Sequence, residues 1–383
     1  MRVASNEEGA GDFPGLSPKN TENWRVLLKI ISESQPDIVH IQFEPGLYGL
    51  VLDQKDPRKS GTYIDSFYHQ SKVPIVTTFH TGYTLRQWLS QASLIKKTGK
   101  TGRFGIPARA AIRLWKYLLN YQAFNNLNKG KLALSKSGIT FSNYMSKMIG
   151  RNCHVIYHGC EPEPSASPDK EQARRYFGLP VESRIALAAG FRTVTKGWDI
   201  LPKLKLPKDW VIVTNSSKGH YNVETVEMEW ERKNKVRKRG HQEDDYYHPR
   251  EYDNSDDINI IDLKRGFLSE KELSLLFYAS DVLLLPYKVT AASGVMFDGL
   301  AHGIPFVASN IGFFHEFVAM GLGVISRRDP AAFSKAIMKV DANYEYFTRN
   351  VDKFSPKLKW DFIADQHAAI YHSSAVKKGI KKL

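Results

Sequence analysis

Lys264-Arg-Gly-Phe-Leu-Ser-Glu-Lys-Glu-Leu273, Ala279-Ser-Asp-Val-Leu-Leu-Leu-Pro-Tyr287, Ser293-Gly-Val-Met-Phe-Asp-Gly-Leu-Ala-His-Gly-Ile-Pro-Phe-Val-Ala-Ser309 and Glu316 follow one another in a single stretch of the chain. They read as helix, buried strand, glycine-opened helix and buried strand, the grammar of a nucleotide-binding α/β domain. Ligands of such sheets sit at the carboxyl ends of the strands, against helix N-termini. The Ser293–Gly294 corner follows a strand ending near Pro286 and opens a helix. Its backbone N–H groups can face a phosphate, with Asp298 about one turn further in.

A second segment fits the first. Residues 185–190 are a short apolar run, read as a buried strand. Phe191-Arg-Thr-Val-Thr-Lys-Gly-Trp-Asp199 follows, with Arg192 and Lys196 as two cations just beyond the strand end. A departing diphosphate needs such charge where no metal supplies it. Alone, the pair reads equally well as surface cations on a loop; its place upstream of the helix-opening corner favours phosphate.

These pieces resemble glycosyltransferase family 4, whose members have the GT-B fold. The matched residues are Gly190-Phe-Arg with Lys196-Gly, Gly266-Phe-Leu-Ser, Ala279-Ser-Asp-Val-Leu-Leu-Leu-Pro, the Ser293–Ser309 run and Glu316. Upstream, Pro36-Asp-Ile-Val-His-Ile-Gln, Val73-Pro-Ile-Val-Thr-Thr-Phe-His and Val155-Ile-Tyr-His-Gly also fit. Each is weak alone; their order and spacing carry the likeness.

The resemblance implies an α/β chain of two Rossmann-like domains facing across a cleft. It implies sugar transfer from a nucleotide-sugar donor to a glycan or lipid-linked acceptor, retaining and metal-independent, with no cofactor. Arg192, Lys196 and the amides of Ser293 and Gly294 would hold the diphosphate. Asp298 would take the ribose hydroxyls, and the backbone at Phe267 and Leu268 the base. The family's Glu-x7-Glu pattern is altered: Thr290 stands where the first Glu belongs and Asp298 where the second does. Glu316 either contacts the donor sugar or nucleotide, or caps the helix after Gly312. His80, at the end of a β-rich run, is the catalytic or acceptor-side candidate, with a loop-bound structural histidine as the plain alternative. His302 is expected to pack on its helix.

Length agrees with two domains, since 383 residues can bury two cores. Residues 1–162 are expected to form the acceptor-side domain, completed by a helix over 358–374. Residues 163–357 form the donor domain, with a charged insertion over 216–257. His241 and His248 flank an acidic run in that insertion, without fixing a metal geometry. Strands are expected at 37–42, 73–79 and 155–157, with short ones at 131–134 and 138–141, and helices at 20–34 and from Pro107 to about Leu127. At the N-terminus, Met1-Arg-Val-Ala-Ser precedes a polar stretch, so the usual first strand–loop–helix unit is expected to be missing. Cys153 and Cys160 make no metal-type spacing, no apolar run approaches a membrane span and no secretory signal is legible. A cytoplasmic setting is expected.

Charge is uneven. From Ser66 to Cys160 there are 14 Lys and Arg and no Asp or Glu, so the whole net charge of +14 lies there. Within residues 96–119 basic and apolar-aromatic residues interleave at helical spacing. That suits an anionic membrane surface, reached peripherally from the inner face; a core helix with a basic outer face is the alternative. Nucleic acid could use the same charge, but no nucleic-acid motif accompanies it. Two other functions remain open: a non-catalytic GT-B donor-binding or partner subunit, favoured by Thr290 and the N-terminus, and a sugar-nucleotide epimerase on the same fold.

Overall fold

A computed structural model describes residues 2–6, 11–51, 53, 56, 59–96, 107–150, 153–191, 193–217 and 260–375. Arg192, residues 97–106 and nearly all of the charged insertion lie outside the described residues.

The chain opens with β1 (Ala4–Asn6) and β2 (Phe13–Leu16), which pair only with each other. Then come α1 (Asn23–Ser34), β3 (Val39–Phe43), α2 (Asp65–Gln70), β4 (Ile75–Phe79), α3 (Leu85–Lys96), α4 (Pro107–Leu134), β5 (Ser137–Thr140), α5 (Asn143–Ile149) and β6 (Cys153–Val155). Strands β3-β4-β5-β6 make a four-stranded parallel sheet in sequence order.

The second half holds α6 (Lys170–Phe177), β7 (Arg184–Phe191), β8 (Trp210–Ser217), β9 (Ile260–Asp262), α7 (Glu270–Tyr278), β10 (Val282–Leu285), α8 (Gly294–Ala301), β11 (Phe306–Ser309), α9 (Gly312–Ala319), β12 (Gly323–Ser326), α10 (Pro330–Ala342) and α11 (Tyr344–Phe354). Its sheet has six parallel strands in the order β12-β11-β10-β7-β8-β9. The apolar runs of its central strands follow from burial on both faces. Ile185, Leu187, Leu283 and Leu285 join one core cluster, while their alternates Ala186, Ala188, Val282 and Leu284 join the other.

Local chemistry sets the helix starts. Ser269 and Glu272 form a capping box at α7, and the Ser293 hydroxyl accepts from Met296 N at the mouth of α8. Asp281, in the Ala-Ser-Asp-Val motif, is a buried ion-pair hub. It accepts from Arg174 at 2.8 Å, Lys170 at 2.7 Å and Ile185 N at 2.7 Å. Fully partnered in this way, it ties α6 to the central strands.

The last helix, α12 (Trp360–Ser374), lays Ile363 and Ile370 against Val76, Ile139 and Ile156 of the first half. Two expectations for single elements need correction. Residues 131–134 are not a strand but the last turn of α4. Lys131 falls four residues after buried Leu127, and its ammonium is turned inward to Asp65 at 2.7 Å. Strand β6 lies at Cys153–Val155, two residues earlier than expected, with Ile156 N still bonding Thr140 O.

Candidate functional site

Strand order fixes where a site can form. From β7 the chain builds outward through β8 and β9 on one side, then returns to place β10, β11 and β12 on the other. Neighbouring β7 and β10 therefore send their loops in opposite directions, opening a crevice at their carboxyl ends. Phe191 and the turn Val194–Lys196 leave β7; Pro286 to Ser293 leave β10.

The two loops are bound to each other. Gly197 has φ +69°, and a Cβ there would meet Pro286 O at 2.0 Å, so only glycine allows the approach. Lys288 N donates to Thr195 O at 2.7 Å. Arg328, just beyond β12, donates to Pro286 O and Gly197 O, each at 2.9 Å, and pairs with Asp199, which Lys288 also meets at 3.1 Å. Burial opposes ionisation of Asp199, but Arg328 and Lys288 outweigh it and hold the carboxyl below its ordinary value.

Lys196 and the mouth of α8 come together through Tyr287. The Lys196 ammonium lies 4.0 Å from the Tyr287 ring centroid, a cation on an aromatic face. The Tyr287 hydroxyl meets the Ser293 hydroxyl at 3.1 Å, and Ser293 caps α8. Lys196 has no carboxylate partner among the described residues. Gly294 is exposed, and a Cβ there would meet nothing within 4 Å, so the helix mouth is open. An unpaired cation beside an open helix N-terminus is a favourable field for an anion.

At the outer end of β7, Phe191 stands edge-on to exposed Phe267, ring centroids 6.2 Å apart. Leu268 packs partly on the core. Asn215 fixes this loop, donating to Gly266 O at 3.0 Å and accepting from Arg265 N at 3.2 Å. Asp298, half-buried, sits beside the Cys160 thiol and His158. Burial holds its carboxyl above the ordinary value, against the pull of those two groups.

His80 follows β4, its N–H bonded to Phe43 O at 3.1 Å. Its Nε2 donates to the Gln42 side-chain oxygen at 2.8 Å, and its ring stands edge-on to Phe141. Nδ1 has no hydrogen-bond partner among the described residues. Burial, with His158 adding to it, pushes its pKa down to about 4, so the ring is neutral near neutrality.

Thr290 and Glu316 serve the seam between the halves. The Thr290 hydroxyl donates to Ala292 O, and its carbonyl accepts from Gln87 Nε2 at 2.7 Å. Glu316 does not cap α9, whose N-cap is Ile311 without a side-chain bond. One turn inside α9, it reaches across to α5, accepting from Asn143 N at 2.9 Å and Asn143 Nδ2 at 2.8 Å. Gly312 lets Tyr144 close on it, since a Cβ there would meet the ring at 2.2 Å. His302 packs as expected, bonded to Asp298 O at 2.7 Å and Ser274 Oγ at 2.9 Å.

Sequence reasoning missed Arg328, Asn215, Gln87, Asn143 and Tyr144. Only Arg328 carried a signal, as a cation just past a strand end. Among the described residues no three His, Cys, Asp or Glu side chains group as a metal ion would need, and no helix is long and apolar enough to cross a membrane. On α4, Leu114, Trp115 and Leu118 are exposed, Trp115 by 60%, while the Tyr117 carbonyl is held by Trp88 Nε1 at 3.0 Å.

No protein-family model matches the sequence, and no curated protein does. Solved structures do match. The sucrose-phosphate synthase of Thermosynechococcus elongatus superposes with TM-score 0.58 at 14% identity, over 93% of this chain and 79% of that one. HepE of Anabaena, in complex with UDP, gives 0.54 at 13% identity, over 91% and 82%. A glycosyltransferase from Rickettsia africae gives 0.54 at 14% identity, over 97% and 84%. This likeness establishes the fold: an α/β chain with the GT-B arrangement of two Rossmann-like halves facing across a cleft.

Proposed function

We propose that this chain is a glycosyltransferase that moves a sugar from a nucleotide-sugar donor to a glycan or lipid-linked acceptor, retaining configuration and needing no metal. The observation that carries this is the Lys196–Tyr287–Ser293 array, which sets a cation with no carboxylate partner among the described residues against the open mouth of α8 at the β7/β10 switch point. Structures of HepE of Anabaena hold UDP and UDP-glucose, which supports a nucleotide-sugar donor here. In this proposal Lys196, with Arg192 and the Ser293 and Gly294 amides, stabilises the leaving diphosphate. Asp298 receives the ribose, Phe267 and Leu268 border the base, and Thr290 and Glu316 stand near the donor sugar. His80, neutral with Nδ1 available, acts from the acceptor side. Residues 1–162 with 358–374 form the acceptor half and 163–357 the donor half. We place the protein in the cytoplasm, with the exposed face around Trp115 touching the inner leaflet.

Titration of UDP, GDP and ADP by calorimetry, with chelator present, tests the donor site. Lys196→Ala should weaken the preferred diphosphate by about 1.5–3 kcal/mol, the worth of a charge-assisted hydrogen bond. Equal affinity in wild type and variant would remove Lys196 from the site. A non-catalytic donor-binding or partner subunit is the second reading. It is favoured by Thr290, uncharged and bonded to Ala292, and by Glu316, occupied by Asn143. Diphosphate binding without donor hydrolysis or transfer would support it.

A further inference from the structure

We propose that Gln42, Glu44 and His80 form the acceptor subsite, and that it takes adjacent hydroxyls of a sugar. The proposal rests on the transferase reading above and names the acceptor class for it.

The three residues share one face at one end of the first sheet. Strands β3 and β4 run in register from Val39 opposite Ile75 to Phe43 opposite Phe79. His80 N donates to Phe43 O, so the ladder continues one pair further and sets Glu44 opposite His80. Glu44 keeps extended dihedrals, φ −116° and ψ 110°. The pleat therefore turns its side chain to the face of His40 and Gln42, while Ile41 and Phe43 enter the core behind. Residues opposite each other in neighbouring parallel strands lie on one face, with the strands about 4.8 Å apart. At its inner end this face is closed by α12, where His40 Nδ1 meets the Tyr371 hydroxyl at 2.6 Å. Its outer end reaches solvent: Gln42 is exposed, and Glu44 and His80 are half-buried. A run of rings places that end at the cleft. His80 lies 5.0 Å from Phe141, Phe141 lies 5.7 Å from His158, and His158 stacks on Phe297 of α8 at 6.4 Å, centroid to centroid. Phe297 adjoins Asp298 on the helix whose mouth faces Lys196. The subsite thus meets the donor half across the floor of the cleft.

Its chemistry pairs donors with acceptors. The Gln42 oxygen accepts from His80 Nε2 at 2.8 Å, which leaves the amide N–H groups of Gln42 as donors on the exposed side. His80 Nδ1, unprotonated in that tautomer, is an acceptor. Glu44 adds a carboxyl group beside it. Burial raises this carboxyl to about 7, with the Gly46 N–H pulling the other way, so near neutrality it can donate or accept. A sugar hydroxyl likewise donates and accepts, and two adjacent hydroxyls can span Glu44 and His80. The ionised form of Glu44 would repel a phosphate. Such a sugar can be free or lipid-linked, and the three residues serve either.

The test uses the full chain. Methyl and octyl α-glucosides, α-galactosides and α-mannosides, below their micelle concentrations, are the probes in saturation-transfer NMR, and UDP, GDP and ADP are titrated in the same preparations. At least one methyl glycoside should bind. Glu44→Ala and Gln42→Ala should each weaken it about fivefold or more, with diphosphate affinity unchanged. Glu44→Gln matches the native side chain in size and guards against misfolding; it should weaken the sugar too, since an amide oxygen accepts less strongly than a carboxylate. Tighter binding of the octyl form assigns a lipid-linked acceptor, and equal binding a free glycan; either sustains the subsite. Binding by none of the glycosides, or binding that Glu44→Ala and Glu44→Gln leave unchanged, would overturn the proposal even if a diphosphate binds. Failure of every diphosphate to bind, with a sugar still held through Glu44, would sink the transferase reading and leave the sugar subsite standing.

Discussion

His302 makes a pH-dependent contribution to stability whose sign and size follow from its surroundings. It sits at the C-terminal end of α8, stacked on Phe277 with ring centroids 4.9 Å apart. Nδ1 must donate, because its partner is the Asp298 carbonyl at 2.7 Å. In the neutral ring with Nδ1 protonated, Nε2 is an acceptor, so it takes the Ser274 hydroxyl proton at 2.9 Å, while Ser274 Oγ accepts from Glu163 N at 2.9 Å. The network satisfies both nitrogens of a neutral ring. Burial lowers its pKa from 6.5 to about 4, with the Asp298 carbonyl pulling the other way. Between those values the unfolded chain binds a proton that the folded chain does not. Stability from this group is therefore complete above the unfolded pKa and is lost as pH falls toward the folded one. Integrating that linkage from about pH 7.5 to about pH 5 gives a loss of roughly 2 kcal/mol. The total slope mixes this with opposing groups: burial raises Glu44 to about 7, so it favours the folded state as pH falls. A difference measurement isolates the histidine. Urea unfolding of wild type and His302→Gln, followed by tryptophan fluorescence at both pH values, should show the wild-type advantage shrinking by about 2 kcal/mol in acid. Ring ¹⁵N shifts should show Nε2 still unprotonated near pH 5.5. A stability difference that is the same at both pH values, or a ring titrating near its ordinary value, would refute the network.

Three further outcomes follow from other parts of the molecule. His80→Ala should lower turnover by about a hundredfold or more while diphosphate affinity stays within about twofold, the effect of removing a general acid–base group; parallel losses of stability and activity, with no separate kinetic effect, would make His80 structural. Glu316→Ala removes both acceptors for Asn143, so small-angle scattering should show a larger radius of gyration without nucleotide; an unchanged curve would mean that other seam contacts suffice. Sedimentation with anionic vesicles should fall with salt, since each cation near the surface contributes about 1 kcal/mol within a Debye length; a salt-resistant remainder should drop in Trp115→Ala, and no sedimentation at low salt would end the membrane reading.

The sequence by itself determined the second half closely. Its strands are buried on both faces, so each appears as an unbroken apolar run, and its helix starts are marked by local caps at Ser269 and Ser293. The crevice was legible for the same reason: a glycine-opened helix after a strand is a local signal. In the first half the signals were weaker. The α4 pattern blurred at its end because Lys131, a cation, occupies an inward position that its pairing with Asp65 and its place over the Tyr68 ring explain. Contacts between distant segments left no trace in spacing. Arg328 binds a loop some 130 residues upstream, Gln87 reaches Thr290, and Glu316 caps α5 rather than its own helix. Each is an ordinary polar residue whose partner is chosen by how the two halves meet. Tertiary structure therefore decided which of the quoted residues face the cleft and which bind the seam, because a hydrogen bond depends on position in space and a motif records only order along the chain.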